Sequence, residues 1–337
     1  MTETAQATRQ ISERLSVDTV VGAVGVGDMG GGIASAILRH YPLVVNDLRQ
    51  EAVDKMVAKG ARSASSLEAL ADQCDVAVVI VFTDDQANQV VGAFLKHPGR
   101  LHTIIISSTI LPSTVVVLDA QARKIGLDIV DAPVSGGAEK AESGIITILA
   151  GGEPCAVTKI WPVLQAYGKD IFHIGPIGAG STGKLITNMM SLGTNMLLLE
   201  AMQLADAYGI TEDSVTEFLP NTSGDSRVIR TWGRYDRMRR SHTLAGTPAM
   251  YEVFGKDMKI AAKAAGQRGV TLPIVAAMSS MIMEKTQERD RFLEARGMTG
   301  PTRRCPVCTL ELAYAYQKEG YHPECMPKSE ETVAEAS

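Results

Sequence analysis

Val20-Val21-Gly22-Ala23-Val24 runs straight into Gly25-Val26-Gly27-Asp28-Met29-Gly30, and an Ala-rich stretch follows from Ile33 to Arg39. A β-branched run, a glycine-spaced turn and a helical segment, in that order, make a dinucleotide cradle when an acidic residue stands about 20 residues further on. Asp47 stands there, directly after the next β-run, Leu43–Asn46. In such a cradle Gly25 allows the tight turn, Gly27 the close approach of a pyrophosphate, and Gly30 the packing of helix on strand. The first helical amides then face the phosphates. Val26, Asp28, Met29 and Leu48 complete the stretch expected to touch the cofactor. Two other readings compete: a glycine-rich turn that binds nothing, and a methyl-donor cofactor, which uses a similar turn and an acidic ribose ligand. The third glycine and the sequence downstream favour the dinucleotide. The Asp47 carboxylate would accept from the ribose hydroxyls and repel a 2′-phosphate, so NAD is the expected cofactor. Arg49, if turned inward, would offset part of that repulsion and make NADP possible.

Outward from the cradle, β-branched runs at Thr19–Val24, Leu43–Asn46, Val76–Phe82, Thr103–Ser107, Asp128–Asp131, Ile145–Ala150 and Ile171–Ile174 alternate with helical segments such as Ile33–Arg39 and Gln50–Lys59. That rhythm predicts an α/β fold of the Rossmann type, a mostly parallel sheet covered by helices on both faces. From Gly180 the β-runs stop. Ser181–Tyr208 reads as one long helix weakened only at Gly193. Helical segments follow at Asp213–Leu219, Val228–Arg239, Tyr251–Ala265 and Ile274–Arg291. The Gly-Pro-Ile-Gly-Ala-Gly stretch from Gly175 to Gly180 marks the change of character. The expected organisation is a flexible N-terminal leader (1–18), a Rossmann-type NAD-binding domain (19–178), an all-α domain for substrate and oligomer contacts, begun by a long interdomain helix (179–298), and a C-terminal extension (299–337).

The length of 337 residues suits two domains of the usual size. With 45% hydrophobic and 21% charged residues, the composition is that of an ordinary soluble chain. A total of 33 basic against 38 acidic residues leaves a formal charge of −5, which offers no general attraction for nucleic acid or an anionic membrane. The longest apolar run, Val76–Phe82, falls well short of the roughly 18 residues that suggest a membrane span. Met1–Asp18 is polar and lacks a secretory apolar core. Five cysteines are too few, and odd in number, for a disulfide framework, so a reducing cytoplasm is the expected location.

Asp131-Ala132-Pro133-Val134-Ser135-Gly136-Gly137 follows a β-run and therefore falls at the carboxyl edge of the sheet, where open α/β sheets bind ligands. Successive amides of the Ser-Gly-Gly turn can converge on an anion, and the Ser135 hydroxyl adds a donor. An ordinary tight turn has the same composition. On the long helix, Lys184, Asn188, Ser191 and Asn195 fall within about 60° of one another at 100° per residue. Leu, Met, Ile and Ala dominate the rest of that helix. A polar stripe with one cation is either solvated or turned to a cleft. Because the helix begins directly after the cofactor domain, its first turn should lie near the cofactor. A lysine partly desolvated there, beside a positive nicotinamide, would have a lowered pKa. It could then take an alcohol proton as hydride leaves, or return it.

Five blocks now stand in order: Gly25–Gly30, Ser108-Thr109-Ile110, Asp131–Gly137, Gly183-Lys184-Leu185-Ile186-Thr187-Asn188 and Lys256-Asp257-Met258. On these the sequence resembles the β-hydroxyacid dehydrogenase family, of the 3-hydroxyisobutyrate dehydrogenase and tartronate semialdehyde reductase type, from about Val20 to Arg291. The resemblance implies an NAD-dependent oxidoreductase that transfers hydride between a small 3-hydroxy acid and the nicotinamide. It implies Lys184 as catalytic acid/base and Ser135, Gly136 and Gly137 as holders of the substrate carboxylate. Asn188 would orient substrate or lysine, and Phe82, Thr83, Thr109 and Lys256 would contact the cofactor. A homodimer or homotetramer built through the helical domain is implied as well. The chain departs from the family where Phe82-Thr83 replaces a usual Leu-Pro pair and Val26 a common Leu, and residues past Arg296 have no counterpart. An NADPH-dependent reductase of an aldehyde acid or an imine is the alternative on the same fold. Imine-reducing relatives usually lack the lysine. A non-catalytic NAD-binding module is the alternative of another class, and it has no need of an acid/base at Lys184.

Three features remain. Arg227, Arg230, Arg234 and Arg237 recur at helical spacing, a stripe expected to be solvated or, if it lines a cleft, to favour a second anionic group on the substrate. Cys305, Cys308, His322 and Cys325 are zinc-ligand types without a diagnostic spacing, and no metal is expected. Cys74 and Cys155 read as small packing residues.

Overall fold

A computed structural model describes residues 18–237 and 250–295. The chain divides into two units: one runs to Thr187 and takes in Lys263–Val270, the other is formed by Asn188–Ala262 and the residues from Thr271 onward.

The first unit is built on nine strands among the described residues: β1 (Val21–Val24), β2 (Leu43–Asn46), β3 (Arg62–Ser63), β4 (Val76–Val79), β5 (Thr103–Ile106), β6 (Asp128–Asp131), β7 (Val134–Ser135), β8 (Ile146–Gly151) and β9 (Gly168–Gly175). Strands β3-β2-β1-β4-β5-β6 lie side by side and all run parallel. β8 turns back antiparallel, meeting β6 at Asp131↔Gly151 and β7 at Val134–Ser135, while β9 pairs parallel on its other edge. The helices α1 (Asp28–Leu38), α2 (Gln50–Ala58), α3 (Leu67–Ala71), α4 (Asp84–Lys96), α5 (Pro112–Ala122), α6 (Ala138–Glu142) and α7 (Pro154–Tyr167) fill the connections. Every residue of β1, β4 and β5 is buried, as a parallel strand covered on both faces requires. One face packs Val21, Ala23 and Val45 against Ile33, Ile37 and Ile160; the other packs Val24, Val44 and Val79 against Leu70, Val91 and Val115. Successive side chains of β1 thus go to opposite cores, which is why its run is apolar without alternation. β3 and β7 have two residues each, too short to leave a period in the sequence.

The long helix α8 (Ala179–Ala207) carries the chain out of the sheet, and the division between the units falls within it. It continues unbroken through Gly193, where a β-carbon would press on Met278 Sδ; the residue that lowers helix propensity makes room for a neighbour. The second unit adds α9 (Glu212–Phe218), α10 (Arg227–Arg230), α11 (Met250–Gly266) and α12 (Pro273–Ala295). Its core joins Met196, Leu199 and Met202 of α8 to Val215, Ile229, Trp232 and Ile282.

Two expectations are corrected. The helix expected over Val228–Arg239 is broken: α10 ends at Arg230, a turn follows through Thr231–Gly233, and Gly233 takes φ +79°. The four arginines therefore do not share one helix face. Arg230 is paired with Asp225 at 2.7 Å. Cys155, expected to pack, is exposed in the first turn of α7, whereas Cys74 is buried. Cys305, Cys308, His322 and Cys325 lie outside the described residues. No helix among the described residues is long and apolar enough to cross a membrane.

Candidate active site

The strand order reverses between β1 and β4, whose carboxyl ends flank the crevice where open α/β sheets take their ligands. The loop after β1 is the glycine-rich turn. Gly25 holds φ +83° with its α-carbon against the Ile80 carbonyl, and a β-carbon on Gly30 would collide with the Gly25 carbonyl, so neither position admits a side chain. Gly27 caps α1, leaving the first amides of that helix at the crevice with Asp28 in its first turn.

Asp47, after β2, is tied to this loop. Its Oδ2 accepts from the Val26 amide at 2.7 Å and its Oδ1 from the Arg49 amide at 2.8 Å. Arg49 has turned inward: its guanidinium lies over Gly27, so that a β-carbon there would stand 2.6 Å from Nη2, and its Nε is 3.7 Å from Asp47 Oδ1. Leu48 beside them is 97% exposed, an apolar side chain bare at the rim of the cradle.

The loops after β4 and β5 are laced together. Ser108 Oγ accepts from the Val81 amide at 2.8 Å, and Asp84 Oδ1 accepts from the Leu111 amide at 3.0 Å. Thr83 caps α4 with a reciprocal pair: its hydroxyl accepts from the Gln86 amide, and the Gln86 side chain accepts from the Phe82 and Thr83 amides. Phe82 and Thr83 are thereby held in place at the crevice without the Leu-Pro pair. Thr109 follows Ser108 in the neighbouring loop, half-buried.

Ser135 ends β7 half-buried, and Gly136 (φ +154°) and Gly137 (φ +91°) turn the chain into α6 with backbone angles that L side chains rarely adopt. At the head of the same loop, Asp131 closes β6 with no exposed surface. Its Oδ1 accepts from the Gly178 amide at 2.9 Å and its Oδ2 from the Ser181 amide at 2.6 Å. Burial pushes this carboxyl up to about 6, and the two amides pull the other way by favouring the charged form. Lys184, half-buried, comes one turn later on α8.

Of the expected site residues, Gly25–Gly30, Asp47, Leu48, Phe82, Thr83, Thr109, Ser135–Gly137 and Lys184 all belong to the first unit. Asn188 and Lys256 belong to the second, where both converge on Asp257: the Asn188 amide donates to Oδ2 at 2.6 Å, and Lys256 Nζ is 3.0 Å from Oδ1. Ser191, next on the polar stripe, bonds to the Tyr235 hydroxyl. The stripe of α8 is thus neither wholly solvated nor wholly aimed at one place.

Comparison with known proteins agrees with this architecture. Residues 20–175 match the family model of the NAD binding domain of 6-phosphogluconate dehydrogenase, and residues 178–295 that of the NAD-binding domain of NADP-dependent 3-hydroxyisobutyrate dehydrogenase. The chain is 33% identical over 273 residues to 2-(hydroxymethyl)glutarate dehydrogenase of Eubacterium barkeri, covering 78% of this chain and 88% of that one. It is also 33% identical over 262 residues to the NAD-dependent L-serine dehydrogenase of Pseudomonas aeruginosa, covering 74% and 87%. The crystal structure of a 3-hydroxyisobutyrate dehydrogenase from Salmonella typhimurium superposes with a TM-score of 0.67 at 31% identity, over 80% of this chain and 95% of that one. The chain belongs to the β-hydroxyacid dehydrogenase family. It is an NAD(P)-dependent oxidoreductase of hydroxy acids, with NAD as cofactor and NADP possible.

Proposed function

We propose that the protein oxidises a small 3-hydroxy acid, or reduces the matching semialdehyde, with Lys184 as the general acid/base. The observation that carries this reading is that the first amides of α8 are bonded to Asp131 at the carboxyl end of β6, the same sheet edge that bears the glycine-rich turn, and that Lys184 comes one turn in. The glycine-rich turn, Asp47, Leu48, Phe82, Thr83, Thr109 and Lys256 are assigned to the dinucleotide, whose nicotinamide supplies the hydride acceptor. The amides of Ser135, Gly136 and Gly137 and the Ser135 hydroxyl are assigned to the substrate carboxylate. Asn188 is assigned to substrate orientation. As the carbinol C–H bond gives up its electron pair, Lys184 Nζ takes the hydroxyl proton and a carbonyl forms; in reverse it returns that proton. The relatives named for L-serine, 2-(hydroxymethyl)glutarate and 3-hydroxyisobutyrate support the substrate class, since each acid bears its hydroxyl on the carbon β to a carboxylate.

A homo-oligomer in the cytoplasm completes the proposal. It is supported by apolar side chains standing exposed along α8 and by the low cysteine content. The test of the mechanism is Lys184→Ala: turnover of 3-hydroxy acids should fall by about two to four orders of magnitude while NAD binding persists. Turnover close to that of the unaltered protein would remove Lys184 from the chemistry.

A further inference from the structure

We infer that Asp131 is a positioning residue, which joins the loop assigned to the substrate carboxylate to the helix that carries Lys184 and so sets the distance between them. The inference rests on the reading of Lys184 as acid/base. Three observations support it, all within the first unit. Asp131 is fully buried, and its two oxygens accept the Gly178 and Ser181 amides. Gly178 caps α8, because the Thr182 amide returns to its carbonyl at 3.0 Å, and Ser181 is then the third helical residue. A helix start leaves such amides without partners. In a local capping box two residues of the helix itself satisfy these two positions; here a single carboxylate at the end of a strand satisfies both.

The joint is also closed sterically. A β-carbon on Gly180 would collide with the carbonyls of Asp131 and Leu149, and one on Gly151, the cross-strand partner of Asp131, would stand 2.5 Å from Asp131 Oδ1 and 2.6 Å from the Gly180 nitrogen. The helix start and the strand end touch backbone to backbone. Lys184 lies three residues past the held Ser181 amide, about 4.5 Å along the axis. Ser135 lies four residues past Asp131 on the loop that the strand end leads into. Any slack at Asp131 therefore displaces the proton carrier relative to the substrate anchor. Burial raises the Asp131 carboxyl to about 6, and the two amides it accepts from favour its charged form.

The test is a double-mutant cycle with two structural readouts. Asp131→Asn keeps the size but can accept at only one oxygen; Gly180→Ala opens the same joint from the helix side and leaves the carboxylate intact. Each should lower kcat by about tenfold to a hundredfold, the scale of an ångström's misplacement. The dissociation constant for NAD should stay within about twofold, and amide exchange over residues 176–187 should speed up. In a Lys184→Ala background Asp131→Asn should cost less than a further twofold. An equal loss with and without Lys184 would overturn the positioning role and leave the acid/base reading intact. Unchanged kcat in both Asp131→Asn and Gly180→Ala, with the protein folded, would overturn it as well. A Lys184→Ala enzyme with near-normal turnover would instead overturn the acid/base reading, and the positioning role with it.

Discussion

At the scale of single residues, Asp47 and Arg49 show how a charge acts through its surroundings. Asp47 spends both oxygens on backbone amides, which fixes it against the glycine-rich turn, where ribose hydroxyls would arrive. Arg49, more than half exposed, gains little stability from its 3.7 Å approach to Asp47. Beside Asp47 it would have a different use: its charge would offset the repulsion between that carboxylate and a 2′-phosphate. Arg49→Gln should therefore weaken NADP more than NAD. A charge-assisted bond of about 1.5–3 kcal/mol corresponds to roughly ten- to a hundredfold in the NADP dissociation constant. Calorimetric titration with each dinucleotide measures it, and equal weakening of both would sink the idea.

At the scale of elements, caps fix the loops at the crevice. The α4 start depends on the reciprocal bonds of Thr83 and Gln86, and these also hold the Phe82 and Thr83 amides. Thr83→Ala should cost about 1 kcal/mol in urea unfolding, and Thr83→Ser should retain most of it. An alanine variant as stable as the unaltered chain would show that the cap is idle. The same logic explains which elements were legible in sequence. β2 and β6 were expected at Leu43–Asn46 and Asp128–Asp131 and are found there, because each is a whole β-branched run bounded by turn residues. The helix over Val228–Arg239 was not, because helical spacing of four arginines says nothing of the turn that Gly233 makes between them.

For the whole molecule, the two units bury their side chains differently. The first encloses its sheet in two apolar layers, while α8 leaves Met190, Leu197 and Leu204 each more than 60% exposed among the described residues. Residues seven apart drift by only about 20° on a helix, so these three form one stripe. A row of large apolar side chains facing water is the mark of an interface. In light scattering the protein should have a mass of at least two chains, and Leu197→Asp should reduce it. An unaltered mass in that variant would exclude this stripe from the interface.

Legible along the chain were local and periodic features: the strand–turn–helix of the cradle, the alternation of runs and helices, the lysine one turn into an apolar helix. Turn angles, burial periods and helix phase depend on neighbours along the chain, and a reader of the chain can see them. The tertiary structure alone decided that Asp131 caps a helix 47 residues away and that Arg49 folds back over Gly27. It alone decided that Asn188 and Lys256 meet at Asp257. Such arrangements form only when the fold brings separate segments within hydrogen-bond reach, and no spacing along the chain records them.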